Sequence, residues 1–431
     1  MNNVTRRRAR ILSVLVGLSL ATAAHAAAPD ADWGRFRGPN GSGVAAAANT
    51  PARFGEKDFN WRVALPGYGH SSPAVVGGKV FVTCADQETA KRSVIALDLA
   101  TGKQLWRRDA DVTGLKQHKD NALAASTPAV DAERVYATFV SPESYKVLAY
   151  DHSGSEVWSY DMGPWQSEHG AGCSPVVHEG MLIVPNDQTG PTASLVALDA
   201  KTGAVRWKTP RKPGLTAAAT PCVFKPKNGP AQIILSCTAS GLTSIDPQTG
   251  KQNWQVGFPS PTASKLRSVG SPVATDTLVV GTAGQGGADR SGAVVQPDPA
   301  DPTKPPKVVA KLPAGRAYTY VPTPVIVGDL MFLWGDSATV TCVKAATGEP
   351  VWQQALPKTG AAPLEFYSSP VVAGDKLYNV SKDGEVICLR AGDKFELLGR
   401  SALGEKCHST IAVAGNALLI RTTGHLVSVG K

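Results

Sequence analysis

The chain has 431 residues and a formal charge of +9, with 42% hydrophobic and 18% charged residues. That apolar share excludes a disordered chain, and the length points to several domains or one large repetitive architecture. The 43 Gly and 32 Pro residues suit a protein with many turns.

Arg6, Arg7, Arg8 and Arg10 give a basic start, and the apolar run from Ile11 to Ala24 is too short to span a bilayer comfortably. Ala24-His25-Ala26 then fits the small-x-small cleavage rule, so residues 1–26 read as a secretory signal peptide. Cleavage after Ala28 is nearly as good a reading, and a twin-arginine route is disfavoured because no Phe-Leu follows the arginines. Removal of this segment leaves 40 Lys+Arg against 35 Asp+Glu. That mild excess, with no basic block interleaved with aromatics, excludes a nucleic-acid binder. No later run is long enough to span a membrane and no Cys marks a lipid anchor, so the product is expected free in the periplasm or outside the cell, as a monomer.

Residues 27–59 form an extension, and Asn60 to Leu65 has the form of a strand. From there to residue 431 a period of about 48 residues organises the chain. One recurring unit is Ser/Thr-Pro before an apolar pair: Ser72-Pro73, Thr127-Pro128, Ser174-Pro175, Thr220-Pro221, Ser271-Pro272, Thr323-Pro324 and Ser369-Pro370. An eighth copy, Ser409-Thr410-Ile411, lacks the Pro. The second unit is a strand, a turn and a Trp, as in Val94 to Asp98, Thr101-Gly102 and Trp106. It recurs at Trp158, Trp207, Trp254 and Trp352. The Gly supplies the positive φ of a tight turn and the Asp closes an Asx-type turn before it. Short alternating runs such as Lys79 to Thr83 lie between the units, and no stretch sustains a 3.6-residue periodicity.

Four short strands per period predict an all-β fold, an eight-bladed β-propeller of four-stranded antiparallel blades. Pro suits the start of the innermost strand, an edge strand that needs no N–H there. Only seven fourth strands follow the eight inner ones. The last blade, ending at His425 to Val429, therefore takes its fourth strand from Asn60 to Leu65, which closes the ring. The stretch Val294 to Lys307, assigned to the sixth blade, carries five Pro and no Trp and reads as a rigid exposed loop.

The Ala-Leu-Asp-x-x-Thr-Gly-x-x-x-Trp unit resembles the repeat of pyrroloquinoline quinone (PQQ)-type eight-bladed propellers, over roughly Asn60 to Lys431. The opening Trp33-x-x-Phe36-Arg37-Gly38-Pro39-Asn40-x-x-Gly43 and the ending Phe395 to Gly399 with Leu403-Gly404-Glu405 resemble secreted members of that group. The resemblance implies indoles wedged between blades, at Trp61, Trp106, Trp158, Trp207, Trp254 and Trp352. For its quinoprotein oxidoreductases it implies PQQ with calcium, held by a carboxylate and an amide beside a vicinal Cys pair. No such set is identifiable here, no two of the seven Cys are adjacent, and C-x-x-C-H is absent. The Cys read as small core residues, with a Cys173–Cys222 disulfide the one pairing considered. The segment Trp33 to Gly43 is expected to lap over one face of the ring.

Register supplies the candidate site. Three residues before each inner-strand Pro, or before Ile411, stand His70, Ala125, Gly172, Ala218, Val269, Val321, Tyr367 and His408. The polar three fall in blades one, seven and eight, which are neighbours on a closed ring. They form a candidate channel-mouth site for a metal, an anion or a small ligand, with Glu365 and Glu405 close by. His118, Asn121 and His169 approach from longer loops, and Arg267 and Tyr320 are weaker candidates. The competing reading is that these side chains bond neighbouring blade backbone. The glycines at 281, 284, 286 and 287 lack a following Lys-Ser/Thr and read as a loop, and neither G-x-S-x-G nor H-E-x-x-H occurs. The sequence thus favours a non-catalytic binding or scaffold propeller, whose partner is a small ligand or another envelope or extracellular protein. The alternatives are a PQQ- and calcium-dependent oxidoreductase, or a scaffold similar to the propeller subunit of the outer-membrane β-barrel assembly machinery.

Overall fold

The computed structural model describes residue 1 and residues 32–46, 49–286, 289–312, 315, 318–358 and 363–430. All but the first residue of the expected signal peptide, and Gly287 of the Gly-rich stretch, lie outside the described residues. Eight antiparallel sheets follow in order round a ring. Blade one is typical, with strands Ala74–Val76, Lys79–Ala85, Arg92–Asp98 and Gln104–Ala110 from the axis outward. Its two middle strands are buried on both faces because each blade is sandwiched between two others, and so they read as nearly continuous apolar runs. The outer strand, by contrast, has Arg108 and Asp109 exposed and Arg107 half-buried.

The eighth sheet joins the chain ends. Ala412–Ala414, Ala417–Arg421 and His425–Val429 are completed by Phe59–Ala64, with Trp61 opposite Ser428 and Ala64 opposite His425. The ring therefore has no seam between its first and last blades.

Hydrophobic cores lie between blades, not within them. Phe81, Ala96 and Trp106 of blade one, for example, pack on Val135, Phe139 and Tyr150 of blade two. The repeated Trp is the hinge pin of each contact. Trp61 Nε1 donates to Leu99 O, Trp106 to His152 O, Trp158 to Ala200 O, Trp207 to Pro247 O and Trp352 to Gly392 O, each across a blade boundary at 2.8–3.1 Å. The turn glycine of the next blade lies against the indole. A Cβ on Gly102, Gly154 or Gly203 would stand 2.7 Å from the ring of Trp61, Trp106 or Trp158. The turn itself is closed as the sequence suggested, with Asp98 Oδ1 accepting from Thr101 N at 2.9 Å. Trp254 departs from the rule: its Nε1 donates to Gln232 Oε1 of its own blade, while its ring still packs on Val279, Ala293 and Val295 of blade five. Blade five has no short Gly-bearing turn at that place to receive it. The Pro-rich stretch stands there instead, between Arg290–Gln296 and Lys307–Leu312. It belongs to the fifth blade by order of inner strands, which corrects the expected sixth.

The Ser/Thr of the Ser/Thr-Pro unit makes a contact that the sequence reading did not foresee. Ser72 N donates to Thr127 Oγ1, Thr127 N to Ser174 Oγ, Ser174 N to Thr220 Oγ1 and Thr220 N to Ser271 Oγ. The chain continues through Thr323, Ser369 and Thr410, and Thr410 N donates back to Ser72 Oγ at 3.0 Å. Eight hydrogen bonds thus form a closed circle around the axis. Blade eight lost its Pro but kept the hydroxyl.

The segment before the propeller crosses the ring face. Trp33 pairs with Val75 of blade one, Gly34 O accepts from Val130 N of blade two, and Asn40 bonds both backbone groups of Val223 in blade four. Val44–Ala45 adds a parallel fifth strand to the inner edge of blade seven, beside Val372 and Ala373. Arg37 is fully buried and, among the described residues, donates to carbonyls alone, Pro324 O and Pro370 O among them at 2.7 Å. All seven Cys are buried and free, so the considered Cys173–Cys222 bridge is absent.

Candidate functional site

The eight positions three residues before the inner-strand Pro line one cavity of about 360 Å³ on the axis. The eight Ser/Thr of the hydrogen-bonded circle line it too, and with Phe36 of the N-terminal segment they close one end. The result is a blind well. One wall is small and apolar (Ala125, Gly172, Ala218, Val269, Val321) and the other carries His70, His408 and Tyr367.

The register places those three side chains together. His408 Nδ1 lies 3.0 Å from His70 Nε2, which is also 2.8 Å from the Tyr68 hydroxyl. An imidazole nitrogen has one in-plane hydrogen-bonding site, so His70 Nε2 satisfies one of these neighbours at a time. The rings of Tyr367 and His408 are 5.7 Å apart at their centroids. Burial, with His408 and Arg421 adding to it, pushes the His70 pKa down to about 2. Burial and then Lys382 lower that of His408 to about 4. Both imidazoles are therefore neutral near pH 7. His408 Nε2 is buried without a hydrogen-bond partner among the described residues.

The loop candidates also reach the well. His118 and His169 stack at its mouth, 5.2 Å between centroids and 9° from parallel. Asn121 lines the wall, but its amide is spent on backbone: Nδ2 donates to His169 O and Ala171 O, and Oδ1 accepts from Ala122 N. Arg267 lines the wall paired with Glu168 at 2.6 Å, and Tyr320 lies beside it. Glu405 does not join the cluster. Its carboxylate turns to Thr422, Thr423, Gly424 and His425, which corrects its expected part. Glu365 is held by Lys382 at 2.8 Å.

Two residues that no repeated unit marks support the polar wall: Asp120, which lines it, and Lys382 behind it. Asp120 Oδ1 lies 3.2 Å from Lys382 Nζ, and that ammonium sits 4.5 Å from the Tyr367 ring centroid. Neither belongs to a repeated unit: Asp120 comes from the loop before blade two and Lys382 from a turn in blade seven. Only the polarity of the Lys382-Asp383-Gly384 turn offered a signal.

A calcium–quinone site needs a carboxylate and an amide free to hold the ion. Here Asp120 is already paired with Lys382 and the Asn121 amide is saturated. Among the described residues no group of three or more His, Cys, Asp or Glu is arranged to hold a metal ion. The residues present do not fit that arrangement.

Eight blades, an alternation of short strands and Trp-bearing turns, and a blind axial well define a PQQ-repeat propeller. The chain belongs to the family described as outer membrane protein assembly factor BamB, whose profile matches residues 56–162, 143–304 and 307–428. BamB from Moraxella catarrhalis has a similar fold, at 16% identity and a TM-score of 0.60 over 86% of this chain and 96% of that one. A europium-containing methanol dehydrogenase superposes with a TM-score of 0.66 at 13% identity, over 93% and 98% of the two chains. These likenesses concern the fold. In sequence, a polyvinylalcohol dehydrogenase from a Pseudomonas species is 32% identical over 163 residues, 35% of this chain. The match spans 24% of that relative's length. No helix among the described residues is long and apolar enough to cross a membrane.

Proposed function

We propose that this chain is a non-catalytic binding propeller of the periplasm or the extracellular space, with residues 1–26 removed on export, residues 27–59 lapping the ring and residues 60–431 forming it. Its blind well takes a small ligand, and its rigid rim is available to an envelope partner. The observation that carries this reading is the well itself: one wall gathers His70, His408, Tyr367 and Asp120, the last paired with Lys382 behind it, while the Asp120 carboxylate and the Asn121 amide are already engaged. Ligands of the folded state raise its melting temperature. A thermal-shift panel of PQQ, divalent metals, sugars and organic acids tests the reading, with the His70→Ala/His408→Ala double variant as control. Saturable shifts that the double variant loses support it. A panel without any shift removes it.

A second reading is a PQQ-dependent oxidoreductase, favoured by the identity to the polyvinylalcohol dehydrogenase. Titration of the purified protein with PQQ and calcium, followed by absorption, separates the two. A stoichiometric quinone complex that oxidises an alcohol replaces the first reading with the second. A third role, docking to outer-membrane assembly components, rests on the family description alone and is tested by pull-down from an envelope extract.

A further inference from the structure

The closed end of the well has a chemistry of its own. Each oxygen of the Ser/Thr circle accepts a backbone N–H, which leaves its own hydrogen to be placed. Apart from Thr220, whose hydroxyl lies beside the Cys173 thiol, none of these hydroxyls donates to a protein group among the described residues. All eight are at least 95% buried and all line the well. Such a ring offers several O–H donors and, among the described residues, no competing carboxylate.

The charges behind it have one sign. Arg37, next to Phe36, is fully buried and bonds Thr323 O, Pro324 O and Pro370 O immediately beneath the circle. Arg421, also fully buried, donates to Ser71 O and Thr83 O behind the His70 sector. Neither has a carboxylate partner among the described residues. Carbonyl dipoles solvate these cations without cancelling their charge, so the well's closed end lies at positive potential in a medium of low dielectric. The acids nearer the mouth are neutralised, Asp120 by Lys382 and Glu168 by Arg267. Thr216 Oγ1, in a residue only 7% exposed, lines the well without a hydrogen-bond partner among the described residues, as does His408 Nε2.

We infer that the closed end is a receptor for the carboxylate of a small organic acid, whose apolar body lies along Ala125, Ala218, Val269 and Val321. Hydroxyl hydrogens converge on the carboxylate oxygens and the buried guanidiniums supply the field, while Thr216 and His408 meet polar substituents further up. Charge-assisted O–H···O⁻ bonds are short and about twice as strong as neutral ones, so the site discriminates acid from amide. This inference rests on the reading of the well as a ligand site.

Ligand-observed fluorine NMR on the full chain tests it with para-fluorobenzoate and its neutral counterpart, para-fluorobenzamide. The acid is expected to bind saturably, and the amide at least about tenfold more weakly. Val269→Glu and Val269→Gln add side chains of equal size to the apolar wall, and only the first adds a negative charge. The Glu variant is expected to lose about tenfold more affinity for the acid than the Gln variant. Equal binding of acid and amide, equal effects of the two variants, or no binding of the acid each overturn the inference. If the amide alone binds, the ligand-site reading survives and the carboxylate does not. If neither probe binds and the thermal-shift panel is silent, both fall.

Discussion

Replacing Gly203 by Ala isolates what the blade-docking indole contributes. Gly203 holds φ at +75°, where an L-residue is strained, and its Cβ would stand 2.7 Å from Cδ2 and Cε3 of Trp158. The left-handed backbone alone costs about 1–2 kcal/mol. Overpacking adds about 1–3 kcal/mol, because Trp158 is tied to Ala200 O and cannot step aside without giving up that bond. The sum is roughly 2–5 kcal/mol. Gly415 is the internal control: φ is +57° and no atom of the described residues lies within 4 Å of a Cβ there. Gly415→Ala should therefore cost only the backbone part, about 1–2 kcal/mol. Urea unfolding of the two variants beside the parent, with equal m-values, measures the difference. Equal losses at the two sites would falsify the claim that the repeated glycine is kept for the neighbouring indole as well as for its turn.

Other expectations follow from the same contacts. Thr127→Val leaves the buried Ser72 N–H without its acceptor and should cost about 1–3 kcal/mol, while Thr127→Ser restores most of it; a Ser variant as unstable as the Val variant would mean that the methyl, not the hydroxyl, matters. Trp254 is 3% exposed whereas Trp207 is half-buried, so alanine should cost roughly 3–5 kcal/mol at Trp254 and less at Trp207; thermal melts of the pair decide the order. His70 and His408 have folded-state pKa values pushed below the unfolded value of about 6.5. Between those limits the unfolded chain binds more protons, so stability falls as pH drops from about 6.5 toward 4, by up to about 1.4 kcal/mol per pH unit for each histidine. Urea midpoints across that range should flatten in His70→Phe, and an unchanged slope would show that His70 does not drive the loss.

Much of this molecule was legible because it repeats. A Gly-bearing turn followed by Trp marks the outer half of five blades, and counting strands located the missing one at Asn60 to Leu65. The offset of three residues from the Pro brought His70, Tyr367 and His408 to one wall, since every blade meets the axis in the same register. The same repeat held a second message that was read only in part. Pro explained itself by its missing N–H, whereas the hydroxyl before it finds its donor about 48 residues away in the preceding blade, a distance no local rule covers. Asp120 and Lys382 stayed hidden for a related reason: they meet across the axis from non-repeating loops, and a single chain gives no periodicity by which to pair them. Glu405 stands three residues from His408 in sequence but not in its cluster, because the backbone N–H and hydroxyls of residues 422–424 draw its carboxylate away.

The hydroxyl circle bears on how this protein comes apart. A linear array of repeats frays from its two terminal units, whose stability is roughly that of one repeat and one interface. Here every blade is an interior blade, gripped on both sides through its Ser or Thr and through an indole or its equivalent. Loosening any one sector breaks two boundaries at once, and the junction that covalent connectivity leaves open, between His425–Val429 and Phe59–Ala64, is the place where unzipping can begin.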